Sequence, residues 1–269
     1  MSTPKESTGR TLLVAFVLCL VCSVFVSGAA VSLKPVQTSN KVLDRKKNIL
    51  AAAGMYAPGE QGAAQIEQNF GRFAVRMIDL DTGAVLGDEE LARAGLDPDL
   101  YDQVHAAKDP ALSRELPGEE DIAGIKRREN IAQVYLLEEA GRLQKIVLPV
   151  RGYGLWSTLY GFLVLEGDAN TVVGLAYYDQ KETPGLGGEV DNPKWKAIWP
   201  GKKIYDESGR VAIELVKGSV EEGQPRAIHQ VDGLSGATLT SNGVEHMLHF
   251  WMGDKGFRPF LEKIRGGQA

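Results

Sequence analysis

The sequence predicts an α+β domain with a largely antiparallel sheet, preceded by one membrane-spanning helix. Residues 11–31 contain no charged side chain, which is typical of a span. Between residues 133 and 180, strand-like runs are joined by links of hairpin length. Farther along, strand-like and helical patterns alternate, and the best-defined helix follows residue 240. Strands and helices interspersed in this way favour the α+β class over a parallel α/β sheet.

The charge of the chain is unevenly distributed. The 269 residues carry a formal net charge of -5, with 43% apolar and 24% charged residues, as in ordinary globular proteins. Residues 1–50 hold seven bases and two acids, giving +5, so the remaining residues carry -10. Because a phosphate-tracking surface needs clustered Lys and Arg, this acidic main part is not expected to bind nucleic acid.

The N-terminal apolar run predicts a membrane anchor. Residues 11–31 are long enough to cross a bilayer as one helix, with residues 1–10 as a tail. A cleaved signal peptide is the alternative, because Arg10 gives a basic start and "VSGAA" resembles a cleavage site. The length favours the anchor. Basic residues lie on both sides of the span, and their number alone leaves its orientation open.

Residues 32–69 are predicted to connect the span to the main domain, residues 70–269. The connection includes a helix whose apolar residues recur at helical spacing. The domain then starts with a strand over residues 72–79 that ends in an Asp-Thr-Gly turn. Residues 84–130 are charged and weakly periodic, and they are interpreted as short helices and loops.

The rest of the domain shows a series of strand and helix patterns. A hairpin is predicted over residues 133–152 around Ala140-Gly141-Arg142. Two more strands, a short helix and a further strand follow, over residues 157–167, 171–180, 192–202 and 210–218. Near the C-terminus a helix is indicated by apolar residues at i, i+3, i+4 and i+7, which are Val244, Met247, Leu248 and Trp251. Either Thr240 or Ser241 is predicted to cap its start.

The segment before this helix, "DGLSGATLTSN", is rich in hydroxyls and turn-forming residues. A helix start presents free N–H groups and a positive dipole end, which suit a phosphate, and Gly233 and Gly236 allow close backbone approach. A plain capped loop would have a similar sequence. On these grounds alone a phosphate cradle and a capped loop both remain open.

A more specific pattern runs through the same residues. The fixed positions of D-x-x-S-G-A-T-x-T are Asp232, Ser235, Gly236, Ala237, Thr238 and Thr240. This pattern resembles the flavinylation motif that a periplasmic flavin transferase recognises. The resemblance implies that Thr238 is esterified to the phosphate of FMN and that Asp232 takes part in recognition by the transferase.

The resemblance extends from about residue 10 to residue 265. "GLWSTLYGFL" (154–163), "YYDQKETPGLGGEV" (177–190) and "DGLSGATLTSNGV" (232–244) resemble the covalent-FMN subunit family of the Na⁺-translocating NADH:quinone oxidoreductases. The resemblance implies an FMN-binding domain whose flavin ring packs near Trp156 and Leu186. Polar and backbone contacts are implied for Glu182, Thr183, Gly187, Ser235, Gly236, Ala237, Leu239 and Thr240. For Trp156 the alternative is ordinary core packing.

Family resemblance also implies function and location. The chain would be a covalent-FMN electron relay in a six-subunit complex that oxidises NADH, reduces ubiquinone and exports Na⁺, and it would not be catalytic alone. It would be a single-pass inner-membrane protein with a cytoplasmic N-terminal tail and its main domain in the periplasm, where the transferase acts. No dinucleotide fingerprint or Walker A loop occurs in the sequence, so NADH is expected to bind another subunit. No metal site is expected, because His246 and His249 lack a third ligand.

Two alternatives remain open at this point. The flavin-bearing subunit of the Rnf complex shares the flavinylation motif and a similar anchor, and this assignment would make the chain a ferredoxin-linked flavin subunit. The other alternative is an anchored binding module without a redox role, in which the "SGAT" loop is only a helix cap.

Overall fold

The computed structural model describes residues 8–56, 62–98, 100–221 and 223–267. The chain divides into two compact units, residues 1–44 and 45–269. The first helix, α1 (Thr8–Ala52), is 45 residues long and includes the predicted span. By length and composition α1 is suited to crossing a membrane. It continues through Pro35, so the predicted span and the predicted connecting helix are one element.

The end of α1 belongs to the core of the second unit. Ile49 and Leu50 are fully buried there, although the sequence predicted a linker at this position. A short helix, α2 (Ala63–Phe70), follows before the first strand. The division of the chain at residues 69 and 70 stays a prediction.

A five-stranded antiparallel sheet forms the centre of the second unit, in the order β1-β4-β5-β6-β7. Its strands are β1 (Phe73–Asp79), β4 (Ile131–Glu139), β5 (Arg142–Tyr153), β6 (Thr158–Glu166) and β7 (Val172–Asp179). The strands predicted over residues 72–79, 157–167 and 171–180 and the hairpin predicted over residues 133–152 are therefore confirmed. Ala140 and Gly141 adopt positive φ of 51° and 72° in the hairpin turn, as a tight turn between twisted strands requires.

Between β1 and β4 the chain forms short elements, as predicted for residues 84–130. They include two helices, α3 (Asp88–Ala94) and α4 (Gln103–Ala106). The sequence did not predict the two-stranded sheet of β2 (Ser113–Glu115) and β3 (Arg127–Glu129).

After β7 the structure departs from the prediction in one respect. The short helix is confirmed as α5 (Pro193–Lys196), but the strand predicted over residues 210–218 is only β8 (Glu214–Val216). It pairs in parallel with β9 (Gln230–Asp232), and so the class is α+β with both strand directions. Two helices end the domain, α6 (Thr238–Trp251) and α7 (Arg258–Arg265).

Helix α6 packs closely on β5. Its predicted apolar face, Val244, Met247, Leu248 and Trp251, is fully buried, which confirms the prediction. The Trp251 indole Nε1 donates to the carbonyl of Arg151 in β5 at 2.7 Å. A Cβ on Gly243 would lie 2.4 Å from the Tyr153 carbonyl oxygen, so only glycine allows this approach. These contacts hold α6 against the end of β5.

The glycine of the Asp-Thr-Gly turn after β1, Gly83, is expected to be important for the stability of the domain. Gly83 has φ of +67°, and a Cβ there would lie 2.3 Å from the backbone nitrogen of Phe260 in α7. We expect Gly83→Ala to lower the free energy of unfolding by about 1–3 kcal/mol, because both backbone strain and overpacking oppose the methyl group. Chemical denaturation of the two proteins measures it. Gly95→Ala is the control, since Gly95 also has positive φ but has no atom within 4 Å of its Cβ position, and it should cost less.

Candidate functional site

Three segments of the motif regions meet at the carboxylate of Glu182. Oε1 accepts backbone N–H groups of Leu155, Trp156 and Ser157 at 3.2, 3.0 and 3.0 Å. Oε2 accepts the hydroxyl of Thr240 at 2.9 Å, across 58 residues of sequence. The loop before β6, the loop after β7 and the first turn of α6 therefore share one acceptor.

The environment of Glu182 keeps it ionised. Its side chain is buried, with the residue 5% exposed. Burial raises the pKa of the Glu182 carboxyl, but hydrogen bonds from the Trp156 N–H, the Thr240 hydroxyl and the Ser157 N–H together lower it by more. The pKa of Glu182 consequently lies below its ordinary value, and the group is a carboxylate at neutral pH.

Two glycines make room for this carboxylate. A Cβ on Gly154 would lie 2.7 Å from Oε1 of Glu182. A Cβ on Gly187 would lie 2.5 Å from the Thr240 Oγ1 and 2.8 Å from the Glu182 Oε2. Gly154 and Gly187 are therefore required by close packing around Glu182, which the sequence alone did not indicate.

The loop of residues 181–188 also touches the loop before α6. The Leu186 side chain comes within 3.1 Å of the Cβ position of Gly236, which has φ of +72°. Thr183 is exposed, and its carbonyl accepts the N–H groups of Leu186 and Gly188 at 3.1 and 2.9 Å, which closes a turn. Leu186 is thereby held beside the "SGAT" loop.

The predicted helix cap is wrong. Helix α6 begins at Thr238, three residues earlier than a cap at Thr240 requires. Its N-cap residue is Ala237, and within the described chain no side chain forms a capping hydrogen bond there. The Thr240 hydroxyl instead binds Glu182. The Ser241 hydroxyl accepts the Leu234 N–H at 2.9 Å and donates to the Ala237 carbonyl at 3.2 Å. Both hydroxyls are therefore buried and occupied by these partners, and neither accepts a free N–H group of the first turn.

Thr238 and its apolar neighbours face solvent. Thr238, Ser235 and Gly236 are exposed, and Ala237 is buried. Large apolar side chains in the same three segments are also exposed, with Trp156 at 68%, Leu239 at 59% and Leu186 at 44%. Core packing of Trp156 is therefore wrong. An uncapped helix start, an exposed hydroxyl and exposed apolar side chains together fit a flat ring held through a phosphate.

Asp232 lies outside this group. It is half-buried at the end of β9, where its Oδ1 accepts the Val220 N–H at 2.8 Å. Its carbonyl accepts the Trp195 Nε1 at 2.8 Å. Asp232 thus fixes the entry into the "SGAT" loop and does not contact Glu182 or its donors.

Comparison with known proteins identifies the domain around this site. Residues 154–253 match a family model described as an FMN-binding domain. The matched range contains Trp156, Glu182, Leu186 and Thr238, and it ends just after α6.

Similarity to named relatives covers the whole chain. A Na⁺-translocating NADH-quinone reductase subunit of Pseudomonas aeruginosa is 56% identical over 98% of this chain and 99% of its own length. The protein of the same name from Vibrio alginolyticus is 46% identical over 100% of this chain and 99% of its own.

Solved structures agree. The crystal structure of Shewanella oneidensis NqrC superposes with a TM-score of 0.74 at 36% identity, covering 85% of this chain and 99% of that one. The corresponding NADH-quinone reductase subunit from Parabacteroides distasonis gives a TM-score of 0.61 at 26% identity, covering 85% and 96%. With an FMN-binding domain over residues 154–253 and similarity to these relatives along its length, the chain belongs to the NqrC family of Na⁺-translocating NADH-quinone reductase subunits.

Proposed function

We propose that this chain is the FMN-bearing subunit of a Na⁺-translocating NADH-quinone reductase and that the FMN is joined to Thr238 through its phosphate. Family membership and the FMN-binding domain over residues 154–253 support the cofactor. One observation supports the attachment point. Thr238 is exposed as the first residue of α6, and the loop directly before it touches the exposed Leu186.

The attachment is an ester bond made after folding or during it. The Thr238 hydroxyl oxygen would form a bond to the FMN phosphorus of a donor in which that phosphorus is part of a diphosphate. The P–O bond to the second phosphate would break, this phosphate would depart with its substituent, and the hydroxyl proton would pass to solvent. The start of α6 lacks a side-chain cap among the described residues, and so its N–H groups suit the phosphate charge. A flavin transferase would catalyse the reaction and would recognise Asp232 together with the rest of the motif.

The residues around Thr238 would hold the rest of the cofactor. Trp156 and Leu186 offer apolar surface for the faces of the ring. Exposed Ser235, Gly236 and Leu239, with the backbone of Ala237 and Gly187, would surround the phosphate and the ring edge, as the family resemblance implies. Thr183 is exposed in the same loop as Leu186 and would add the polar contact that the family resemblance implies, whereas Glu182 and Thr240 are buried.

Bound FMN would supply the redox chemistry, and the chain would fix its place and environment. We infer that the subunit relays electrons within the six-subunit complex, between an iron–sulfur centre and a flavin of a membrane subunit. NADH oxidation, ubiquinone reduction and Na⁺ export would occur on other subunits.

Helix α1 would anchor the chain in the inner membrane, with the main domain in the periplasm. Relatives named as NADH-quinone reductase subunits support this assignment over an Rnf subunit.

Co-production with a flavin transferase tests the proposal. We expect the chain to give a flavin-fluorescent band in a denaturing gel, because only a covalent bond survives denaturation. Digestion and mass spectrometry should place a mass increase of FMN less one water on the peptide that contains Thr238. A non-fluorescent chain beside a known substrate that is labelled in the same cells would overturn the proposal.

Because Trp156 is exposed, its replacement should change the environment of the flavin and leave the stability of the fold almost unchanged. We expect Trp156→Ala to change the free energy of unfolding by less than about 0.5 kcal/mol, because 68% of the residue is already exposed. Flavin emission of the native labelled protein should rise, since an aromatic contact that quenches it is lost. Val85→Ala, an exposed apolar position near the β1 edge, should leave the emission unchanged. Equal emission of the wild type and Trp156→Ala would contradict packing of the ring against Trp156.

A further inference from the structure

We propose that Glu182 is a positioning residue for flavin attachment, because its carboxylate ties the first turn of α6 to the loop before β6 and so turns Thr238 outward. This inference rests on the proposed attachment at Thr238. It assigns Glu182 to holding the protein in place, where the family resemblance implied a polar contact to the flavin ring.

The carboxylate has no free face to offer a ligand. Oε1 accepts the Trp156 N–H, the Ser157 N–H and the Ser157 hydroxyl at 3.0, 3.0 and 3.3 Å. Oε2 accepts the Thr240 hydroxyl at 2.9 Å, and the Leu155 N–H lies 3.2 Å from both oxygens. A cofactor atom could bind Glu182 only by displacing one of these donors. Hydrogen bonds to a buried carboxylate are the stronger kind, so displacement is unfavourable.

Helix geometry connects Thr240 to Thr238. Residues two apart on an α-helix point about 200° away from each other around the axis. Thr240 is 1% exposed and points to Glu182, whereas Thr238 is exposed. Fixing the Thr240 side chain inward therefore fixes the rotation of the first turn that places the Thr238 hydroxyl outward.

Close packing makes this link rigid. Neither Gly154 nor Gly187 leaves space for a methyl group between the loops and the carboxylate. Ser157 adds a second connection, because its Oγ accepts the Lys181 N–H at 2.8 Å while it donates to Glu182. The two loops and α6 are thus joined at one charged group, and removal of that group frees all three.

Four variants separate this role from a general loss of structure. The unmodified full chain is purified in detergent, the transferase and its flavin donor are added, and the rate of covalent labelling is measured. We expect Glu182→Ala and Thr240→Val to slow labelling by roughly tenfold to a hundredfold, because a small misplacement of a reacting group has effects of that size. Glu182→Gln and Thr240→Ser should stay within about threefold of the wild type. The Gln amide oxygen accepts the backbone N–H groups, and its NH₂ donates to the Thr240 hydroxyl.

Asp168→Ala is the matched control. Asp168 is an exposed carboxylate that likewise ties a turn together, because it accepts hydrogen bonds from the Asn170 N–H, the Thr171 N–H and the Thr171 hydroxyl between β6 and β7. That turn lies at the far end of β6 from Trp156, about 26 Å away at the usual rise per residue. We expect this variant to lose stability like Glu182→Ala but to be labelled at the wild-type rate.

Hydrogen exchange of the peptide over residues 232–244 gives a second readout that does not need labelling. Glu182→Ala should speed exchange in the first turn of α6, and Glu182→Gln and Asp168→Ala should not. Wild-type labelling rates or unchanged exchange in Glu182→Ala would overturn the inference. Labelling of Glu182→Gln as slow as that of Glu182→Ala would overturn it as well, because the hydrogen bonds would then not be the cause. A wild-type chain that takes no flavin would reject the proposed attachment, and fast exchange only in Glu182→Ala would then show that Glu182 orders the first turn of α6.

Discussion

Replacing Thr238 by valine is expected to leave the chain folded but without covalent flavin. Valine has nearly the shape of threonine and lacks the oxygen that would form the ester bond. Because Thr238 is exposed, the substitution should change the free energy of unfolding by less than about 0.5 kcal/mol. In-gel fluorescence after co-production with the transferase should fall to background. In the assembled complex, NADH-dependent quinone reduction should fall with it, because the electron path would lack one cofactor.

Ser219→Ala is the control for this loss. Ser219 is an exposed hydroxyl outside the motif, and we expect its removal to leave a fluorescent band. Peptide mapping of this variant should still place the flavin on Thr238. A fluorescent Thr238→Val band would contradict the assignment, and mapping would then show which hydroxyl is used.

Breaking the buried ion pair under α6 should have the largest effect on stability. Glu129 is 0% and Arg151 7% exposed, and the Arg151 Nη2 lies 2.5 Å from the Glu129 Oε2. Burial lowers the pKa of Arg151, but the adjacent Glu129 raises it by more, and so the pKa lies above its ordinary value. We expect Arg151→Met to lower the free energy of unfolding by about 3–5 kcal/mol, because Glu129 would remain as an unpaired buried charge. Urea denaturation measures it.

The double variant Glu129→Met/Arg151→Met tests the cause. An apolar pair of similar volume removes both charges, so stability should recover relative to Arg151→Met alone. Recovery should be partial, because the Gln103 Nε2 donates to Glu129 at 2.5 Å and the Arg127 carbonyl accepts from Arg151 at 3.0 Å. A double variant no more stable than the single variant would show that lost packing, including the Arg151 guanidinium 5.2 Å from the Trp251 ring, dominates.

Local patterns predicted the regular elements of this fold well. The hairpin around Ala140-Gly141 and the buried face of α6 follow from alternation and helical spacing, which depend on neighbouring residues. The strand over residues 210–218 was predicted too long, because its apolar content does not show that only Glu214–Val216 find a partner in β9. Such pairing depends on residues distant in sequence.

The candidate site shows the same division. The motif around Thr238 is a continuous string, and the sequence predicts it directly. Thr240 and Ser241 fit a helix cap by local chemistry, yet they bind Glu182 and Leu234, which no local pattern reveals. The burial of Glu182 and the exposure of Trp156 likewise depend on how two loops and the first turn of α6 meet. The sequence therefore indicates these residues as candidates but does not predict their environments.

The shared acceptor at Glu182 has a consequence for protein engineering. A short "DGLSGATLTS" tag moved to an unrelated scaffold would transfer the acceptor hydroxyl but not the segments at residues 154–157 and 182–187 that surround it here. Such a fusion would be expected to take up flavin slowly and to hold it without surrounding protein, with the emission and the solvent access of dissolved FMN. Transplanting a defined flavin environment would require the whole span from Gly154 to Gly253.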